Sequence, residues 1–134
     1  MLSISTRTKI YLVAGVTDMR KAFGGLTAIV RNHLLEDPLS GHVFVFCNRR
    51  RDRIKVLFFD RSGLWVCAKR LEKGTFAWPA TDAKSIEMTN EELTLLLSGI
   101  DLKDTKRRSW YTRRPIEKPT RRALEEKLLR FREI

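Results

Sequence analysis

Apolar and polar residues alternate in blocks through the middle of the chain, and the blocks have the length and composition of β-strands. Residues 43–47 and 54–59 are rich in β-branched and aromatic side chains, which favours strands. The short polar stretch between them favours an antiparallel hairpin. Residues 60–63 begin with Asp and end with Gly, as in a type I turn followed by a left-handed residue. With residues 64–71 as a third strand, the pattern predicts a three-stranded meander.

The register of the meander sorts its residues into two faces, because successive side chains of a strand point to opposite sides. With Asn48 opposite Arg53 and Phe59 opposite Leu64, one face is wholly apolar and is predicted to be core. It comprises Val43, Val45, Cys47, Ile54, Val56, Phe58, Trp65 and Cys67. The other face carries Phe44, Phe46, Leu57, Phe59, Leu64 and Val66, with Lys55 and Arg70 toward the hairpin tip. The cysteines are then about 10 Å apart, too far for a disulfide, and are predicted to be buried thiols.

Helical signals lie on either side of the meander. After a short predicted strand at residues 9–13, Thr17 or Asp18 is the predicted N-cap of a helix. The helix is expected to end at residues 37–41. Its predicted core-facing stripe, with His33 as a structural histidine, consists of Met19, Ala22, Phe23, Leu26, Ile29, Val30, His33 and Leu34. A capping box at residues 89–92 predicts a second helix that ends at Gly99. Between them, Phe76 and Trp78 are predicted to pack on the core rather than stack on bases.

These elements predict an α+β fold in which an antiparallel meander carries a packed N-terminal helix and a short second helix. The 134 residues fit one compact domain at residues 1–101 and a basic extension at residues 102–134. Pro115 and Pro119 interrupt the extension. Residues 120–133 are predicted to form a terminal amphipathic helix, whose apolar stripe needs a partner.

Basic residues outnumber acidic residues by a wide margin. The 27 Lys and Arg against 16 Asp and Glu give a formal charge of +11 and a pI near 10.3. This excess is larger than solubility needs and favours an anionic partner, with nucleic acid ahead of a membrane. The sequence has no apolar run of about 18 residues that could span a bilayer, and its N-terminal segment lacks the pattern of a signal peptide. We therefore expect a cytoplasmic protein.

The basic residues form two clusters, and both are predicted nucleic-acid contacts. The first cluster comprises Arg49, Arg50, Arg51, Arg53, Lys55, Lys69, Arg70 and Lys73, with Arg20 and Lys21 as additional candidates. The second is the extension, where residues 103–122 contain nine basic and two acidic residues. Its predicted contacts are Arg107, Arg108, Trp110, Arg113 and Arg114, with the indole stacking on exposed bases. A disordered solubilising tail fits the composition of the extension equally well.

The placement of the carboxylates argues against catalysis. Two-metal phosphodiester chemistry needs a cluster of carboxylates, for which the candidates are Asp18, Asp52, Asp60, Glu72 and Asp82. Most have a simpler position as a helix cap, in a turn or at a basic strand end. No nucleophile motif, phosphate loop or metal-ligand spacing occurs, and the two histidines without paired cysteines make zinc improbable. We expect no catalytic residue, no cofactor and no metal.

Five motifs occur in an order that resembles one protein family. They are residues 17–21 with 25–26, residues 40–46, residues 48–55, residues 69–74 with Phe76 and residues 78–79, and residues 96–101. This set is similar to the accessory TnpB protein of the insertion-sequence-sixty-six family of bacterial transposons. The resemblance covers residues 1 to about 101 and departs at Phe59, where the family often has Trp or Tyr. It implies a role in transposition beside a larger transposase, which carries the catalytic acids, and another accessory protein.

The resulting hypothesis is a non-catalytic accessory protein that binds transposon DNA, or a transposase–DNA complex, through the basic hairpin and the extension. One alternative is an adaptor that binds the transposase through the C-terminal helix or an exposed sheet face, without touching DNA. Another is an RNA-binding module, because a βαββ order and the aromatic run at residues 41–46 are shared with RNA-recognition sheets. The sequence leaves the oligomeric state open.

Overall fold

The computed structural model describes residues 7–99, which form a five-stranded sheet with a helical segment on each face. The elements in chain order are β1 Ile10–Val13, α1 Phe23–Ala28, a π-helical turn Ile29–His33, β2 Val43–Cys47, β3 Arg53–Phe59, β4 Leu64–Arg70, β5 Ser85–Met88 and α2 Asn90–Leu97. The strand order is β4-β3-β2-β1-β5. The predicted α+β class is confirmed. The extension and its predicted terminal helix lie outside the described residues.

The predicted meander and its register are confirmed, whereas the purely antiparallel sheet is wrong. Phe59 pairs with Leu64, and the Asn48 N–H donates to the Arg53 carbonyl at 3.2 Å. However, β1 pairs with β2 in parallel, because the helical segment between them provides the crossover that parallel strands need. The sheet also gains β5, which pairs antiparallel with β1. Its half-polar sequence, Ser-Ile-Glu-Met, gave no strong strand signal.

Each face of the sheet is covered by one helical segment. Leu93, Leu96 and Leu97 of α2 pack on the face that was predicted to be core. Leu26 and Val30 pack on the opposite face, over Phe44, Phe46 and Leu57. The prediction is wrong for Trp65, which lies on the α2 side at the edge of the core, is 45% exposed and stacks on Phe58 with a centroid distance of 6.2 Å. Cys47 and Cys67 are buried free thiols, as predicted. The described part of the sheet therefore leaves no whole face open to a partner.

The first helix begins later than predicted. Its N-cap is Ala22, which makes no side-chain capping hydrogen bond. The Thr17 N–H donates to the Cys47 carbonyl at 2.8 Å, and the Asp18 carboxylate accepts the Arg20 N–H at 2.9 Å. These bonds hold residues 17–20 in a turn rather than a helix.

Three side chains of the predicted apolar stripe, Ala22, Phe23 and His33, are exposed, and the expectation for them is wrong. Phe23 is 50% exposed at the first position of α1, and His33 is exposed at the end of the π-helical turn. A π-helical turn contains one residue more than an α-helical turn, so the stripe loses its phase there. His33 consequently leaves the core face.

The second helix and the turns follow local hydrogen-bonding rules. The predicted capping box is present: the Thr89 hydroxyl accepts the Glu92 N–H, and the Glu92 carboxylate accepts the Thr89 N–H. Gly99 ends the helix with φ 76°, as predicted. In the β3–β4 turn the left-handed residue is Arg61, with φ 84°, and not Gly63 as expected. Within residues 7–99 no helix is long and apolar enough to cross a bilayer.

Candidate nucleic-acid interface

The β2–β3 hairpin tip is organised by one asparagine. The Asn48 Oδ1 accepts the N–H groups of Asp52 and Arg53, both at 3.1 Å, and its Nδ2 donates to the Asp52 carboxylate at 2.7 Å. An Asn side chain closes turns in this way because its amide oxygen imitates a backbone carbonyl. Arg51 takes the left-handed conformation with φ 60°. The tip is therefore a defined turn rather than a loose loop.

Arg51 fastens this tip to the rest of the domain. Its Nη1 donates to the Gly15 carbonyl at 3.0 Å, and its guanidinium lies 5.7 Å from the centre of the Trp78 ring. Its own carbonyl accepts the Phe76 N–H at 2.6 Å. Burial raises the pKa of the Cys47 thiol, and a hydrogen bond with Arg51 offsets part of this increase. Arg51 was a predicted phosphate contact, but its guanidinium is already engaged inside the domain.

The remaining tip arginines face solvent. Arg49, Arg50 and Arg53 are exposed, and no side-chain hydrogen bond or ion pair is found for them within residues 7–99. Asp52, the acidic residue of the tip, is held by Asn48. Asp52 is one carboxylate among the four arginines of the tip, so the outer surface of the hairpin presents a net positive charge.

Arg53 and Arg70 lie directly opposite each other on β3 and β4. The adjacent pair, Asp52 and Leu71, is a hydrogen-bonded pair, since the Leu71 N–H donates to the Asp52 carbonyl at 2.8 Å. Pairs alternate along an antiparallel ladder, so Arg53 and Arg70 form a non-hydrogen-bonded pair with Cα atoms about 4.5 Å apart. Like charges in this arrangement destabilise a sheet. Glu72 lies 3.4 Å from Arg70, but both side chains are largely exposed, and such ion pairs contribute little.

An open groove of about 370 Å³ lies at this end of the sheet. It is lined by Met19, Arg53, Ile54, Lys55, Ala68, Lys69 and Arg70. The two lysines also have structural bonds: the Lys55 Nζ donates to the Lys21 carbonyl at 2.7 Å, and the Lys69 Nζ to the Leu97 carbonyl at 2.6 Å. We call the exposed cations here, Arg49, Arg50, Arg53 and Arg70, the basic rim. Lys73 is exposed in the loop that follows β4.

Asp18 and Arg20 form a fork beside the groove. The Asp18 carboxylate accepts from the backbone N–H, Nε and Nη2 of Arg20 at 2.7 to 3.1 Å. The hydrogen bonds from the Arg20 side chain, and to a smaller extent the one from its backbone N–H, lower the pKa of the Asp18 carboxyl to about 2. Asp18 therefore stays ionised at neutral pH. It is an arginine partner and not the helix cap predicted as one option.

The other carboxylates also have local roles. Asp60 accepts the Trp65 indole N–H at 2.6 Å and hydrogen bonds from Ser62, which together lower the pKa of Asp60 to about 2. Asp52 pairs with Asn48, and Glu72 with Arg70. In the part of the chain that the structure describes, no three His, Cys, Asp or Glu side chains are grouped to hold a metal ion.

The aromatic residues are mostly interior. Phe76 is 2% exposed and Trp78 packs against the core, which confirms the predicted packing role. Phe44 and Phe46 are fully buried beneath α1. RNA-recognition sheets stack bases on exposed aromatics, so the aromatic run at residues 41–46, on which the RNA alternative was based, offers no such platform.

Comparison with known proteins identifies the family. The family model described as "IS66 Orf2 like protein" matches residues 8–107. The chain belongs to this family. It is 34% identical over 90% of its length to the uncharacterized protein y4jC of Sinorhizobium fredii, of which the match covers 98%. It is 37% identical over 75% of its length to the uncharacterized protein y4hO of the same organism, of which the match covers 88%. No solved structure matches the chain.

Membership of the IS66 Orf2-like family supports an accessory role in transposition. The family match includes the basic rim and the Asp18–Arg20 fork. Its last residue is Arg107, so most of the extension lies beyond it. The extension candidates Arg107, Arg108, Trp110, Arg113 and Arg114 lie outside the described residues.

Proposed function

We propose that this protein is a non-catalytic transposition accessory protein that binds transposon DNA, or a transposase–DNA complex, through the basic rim. The observation that carries the proposal is the direct cross-strand pairing of Arg53 with Arg70. Such a pair repels itself in the free protein. A phosphate between the two guanidinium groups would convert that repulsion into two charge-assisted hydrogen-bonding contacts.

The rest of the basic rim extends this anion site along a line. Arg49 and Arg50 are exposed in the turn that immediately precedes Arg53, the first residue of β3. A nucleic-acid backbone presents phosphates in a row, and each neutralised phosphate releases counterions and adds to affinity. Positive charge on adjacent, rigid elements therefore suits a polyphosphate strand better than a single small anion.

We also propose that residues 1–101 form the domain and residues 102–134 a basic arm. The arm would add backbone contacts through Arg107, Arg108, Arg113 and Arg114, with Trp110 stacking on bases. The family supports an accessory role, and the carboxylates near the basic rim, Asp18, Asp52 and Glu72, have local hydrogen bonds. Strand cleavage is accordingly assigned to the larger transposase.

A second candidate function is an adaptor for the transposase. Two leucines after the first helical segment favour it: Leu35 is 77% exposed with φ 56°, and Leu39 is 45% exposed. A bulky residue in the left-handed conformation carries backbone strain. An exposed apolar pair with such strain is suited to a protein contact rather than to DNA.

Binding to DNA as a function of salt separates the two functions. Fluorescence anisotropy with a labelled transposon-end duplex should give a steep fall of log affinity with log salt concentration for the full-length protein. The double variant Arg53→Gln, Arg70→Gln should lower the slope by about 2, because two phosphate contacts are lost. The control variant Arg31→Gln, Lys84→Gln removes the same charge from exposed sites away from the rim and should leave the slope nearly unchanged. Equal slopes in both double variants would exclude the rim, and salt-independent binding would favour the adaptor.

A further inference from the structure

The loop at residues 14–22 is fastened to the basic end of the domain through three of its backbone atoms. The Gly15 carbonyl accepts from Arg51 at 3.0 Å, and the Lys21 carbonyl accepts from Lys55 at 2.7 Å. Between them, the Thr17 N–H donates to the Cys47 carbonyl at 2.8 Å. The loop also supplies Met19 to the lining of the groove. Arg20 therefore projects from a fixed support beside the proposed DNA site.

The side chain of Arg20 is itself held in one orientation although it is exposed. Its side chain is 92% exposed, a degree at which an arginine normally samples many rotamers. Here the Asp18 carboxylate accepts hydrogen bonds from both Nε–H and Nη2–H of Arg20. These two bonds lie along one side edge of the guanidinium and fix the orientation of its plane. This fork leaves the end edge of the guanidinium, formed by Nη1 and the second Nη2 hydrogen, directed away from the carboxylate. Planar arginine offers donors on both edges.

The charge of this pair distinguishes two kinds of DNA contact. A phosphate contact depends on net positive charge, and the ionised Asp18 cancels most of it and repels phosphate. A base contact depends on direction, because arginine recognises guanine by two parallel hydrogen bonds to O6 and N7 in the major groove. The Asp18–Arg20 fork is poor for the first contact and well arranged for the second.

We propose that Arg20 is a sequence-reading residue that binds guanine through its free end edge, and that Asp18 is a positioning residue that fixes its orientation. The inference rests on the proposed DNA-binding function and deepens it. The basic rim supplies affinity through phosphates, and the fork supplies sequence preference. Phosphate contacts set position and base contacts set specificity in protein–DNA recognition generally.

Selection from a pool of duplexes with a randomised core tests this proposal directly. The full-length protein should enrich sites with a preferred guanine, and anisotropy should then measure affinity for a selected duplex and for the same duplex with that guanine replaced. Arg20→Ala should reduce the preference about 5- to 150-fold, the range expected for one bidentate arginine–guanine contact. Arg31→Ala removes the same charge from the first helical segment, away from the groove, and should keep the preference.

Asp18→Asn gives the sharper test, because the two measured quantities should move in opposite directions. Asparagine can still accept the Arg20 N–H and keep the turn, but it no longer fixes the guanidinium. Preference for the selected duplex should fall severalfold, while affinity for random duplex should rise and its salt slope should steepen by about 1, since a repelling charge is gone. A purely structural role for Asp18 would lower both affinities together. Thermal unfolding by circular dichroism establishes that each variant is folded.

The outcomes separate this inference from the function on which it rests. Full preference in Arg20→Ala, or binding by the wild-type protein without any sequence preference, would overturn the reading role while leaving the phosphate-binding rim intact. If the wild-type protein binds no duplex at all, the DNA-binding function fails, and the reading role fails with it.

Discussion

The two turns that bound β3 are closed by the same kind of hydrogen bonds but differ in charge. Asn48 closes the first turn and Asp60 the second, each by accepting backbone N–H groups with a side-chain oxygen. Each turn also has an arginine in the left-handed conformation, Arg51 with φ 60° and Arg61 with φ 84°. The first turn is closed by a neutral amide and stays strongly basic. The second is closed by a carboxylate that offsets its arginine.

The comparison teaches that turn closure and charge are separable. Either an amide or a carboxylate can accept the N–H groups of a turn. The residue that closes the turn can therefore set the local charge without changing the turn geometry. At the hairpin tip the amide closes the turn without adding a negative charge beside the arginines. The two left-handed arginines differ as well: Arg51 is engaged inside the domain and Arg61 is exposed.

The largest effect is expected from removing the charge of the first turn. Arg49→Gln with Arg50→Gln should weaken binding to a transposon-end duplex roughly tenfold at moderate salt, because two phosphate contacts are lost. The matched variant, Arg61→Gln with Arg31→Gln, removes the same charge at the other turn and on the helix. Its affinity should stay within about twofold of wild type in the same titration. Equal losses in the two variants would mean that net charge alone drives binding.

Replacing the inward arginine should produce the next largest effect, on stability. Arg51→Gly relieves the left-handed strain but removes the bond to Gly15 and the contact with Trp78. We expect a net loss of about 1 to 2 kcal/mol of unfolding free energy, from one hydrogen bond and one cation–π contact less the relieved strain. Urea denaturation followed by tryptophan fluorescence measures it. An unchanged midpoint would show that Arg51 is not an anchor.

The same substitution at the other turn should have the opposite sign. Arg61 is exposed and has the same unfavourable backbone conformation. Arg61→Gly should therefore raise the unfolding free energy by about 0.5 to 1 kcal/mol, since glycine adopts positive φ without steric cost. Denaturation under the conditions used for Arg51→Gly provides the comparison. A destabilised variant would mean that the arginine side chain has a contact that stabilises the turn.

The smallest expected effect is the contribution of the carboxylate turn to the pH dependence of stability. The pKa of Asp60 is lowered to about 2 in the folded protein from an ordinary value of 3.8. Its stabilising contribution is therefore complete above about pH 4 and is lost as the pH falls toward 2. Melting temperatures from pH 5 to pH 2 should fall less steeply for Asp60→Asn than for wild type. An identical slope in the variant would assign the acid sensitivity to other carboxyls.

The meander was predictable because strand periodicity and turn residues agree over residues 43–70. The same register also places Arg53 opposite Arg70, because each step along β3 from Phe59 is matched by one step in the opposite direction along β4 from Leu64. Arg51 could not be recognised as an anchor, because its partners Gly15 and Trp78 are distant in sequence and on opposite sides of it. The late start of α1 was hidden for a related reason. Thr17 and Asp18 satisfy the pattern of a helix cap, but the Thr17 backbone is bonded to Cys47, distant in sequence, and the Asp18 carboxylate is bonded to Arg20.

The π-helical turn at residues 29–33 has a consequence for comparing relatives. It accommodates one residue more than a regular helix of the same length would. A family member that lacks one residue here can restore a regular helix without moving the strands on either side. Alignments of IS66 Orf2-like proteins should therefore tolerate a single-residue gap within this turn, whereas a gap in the loop at residues 14–22 would displace Arg20 from its support.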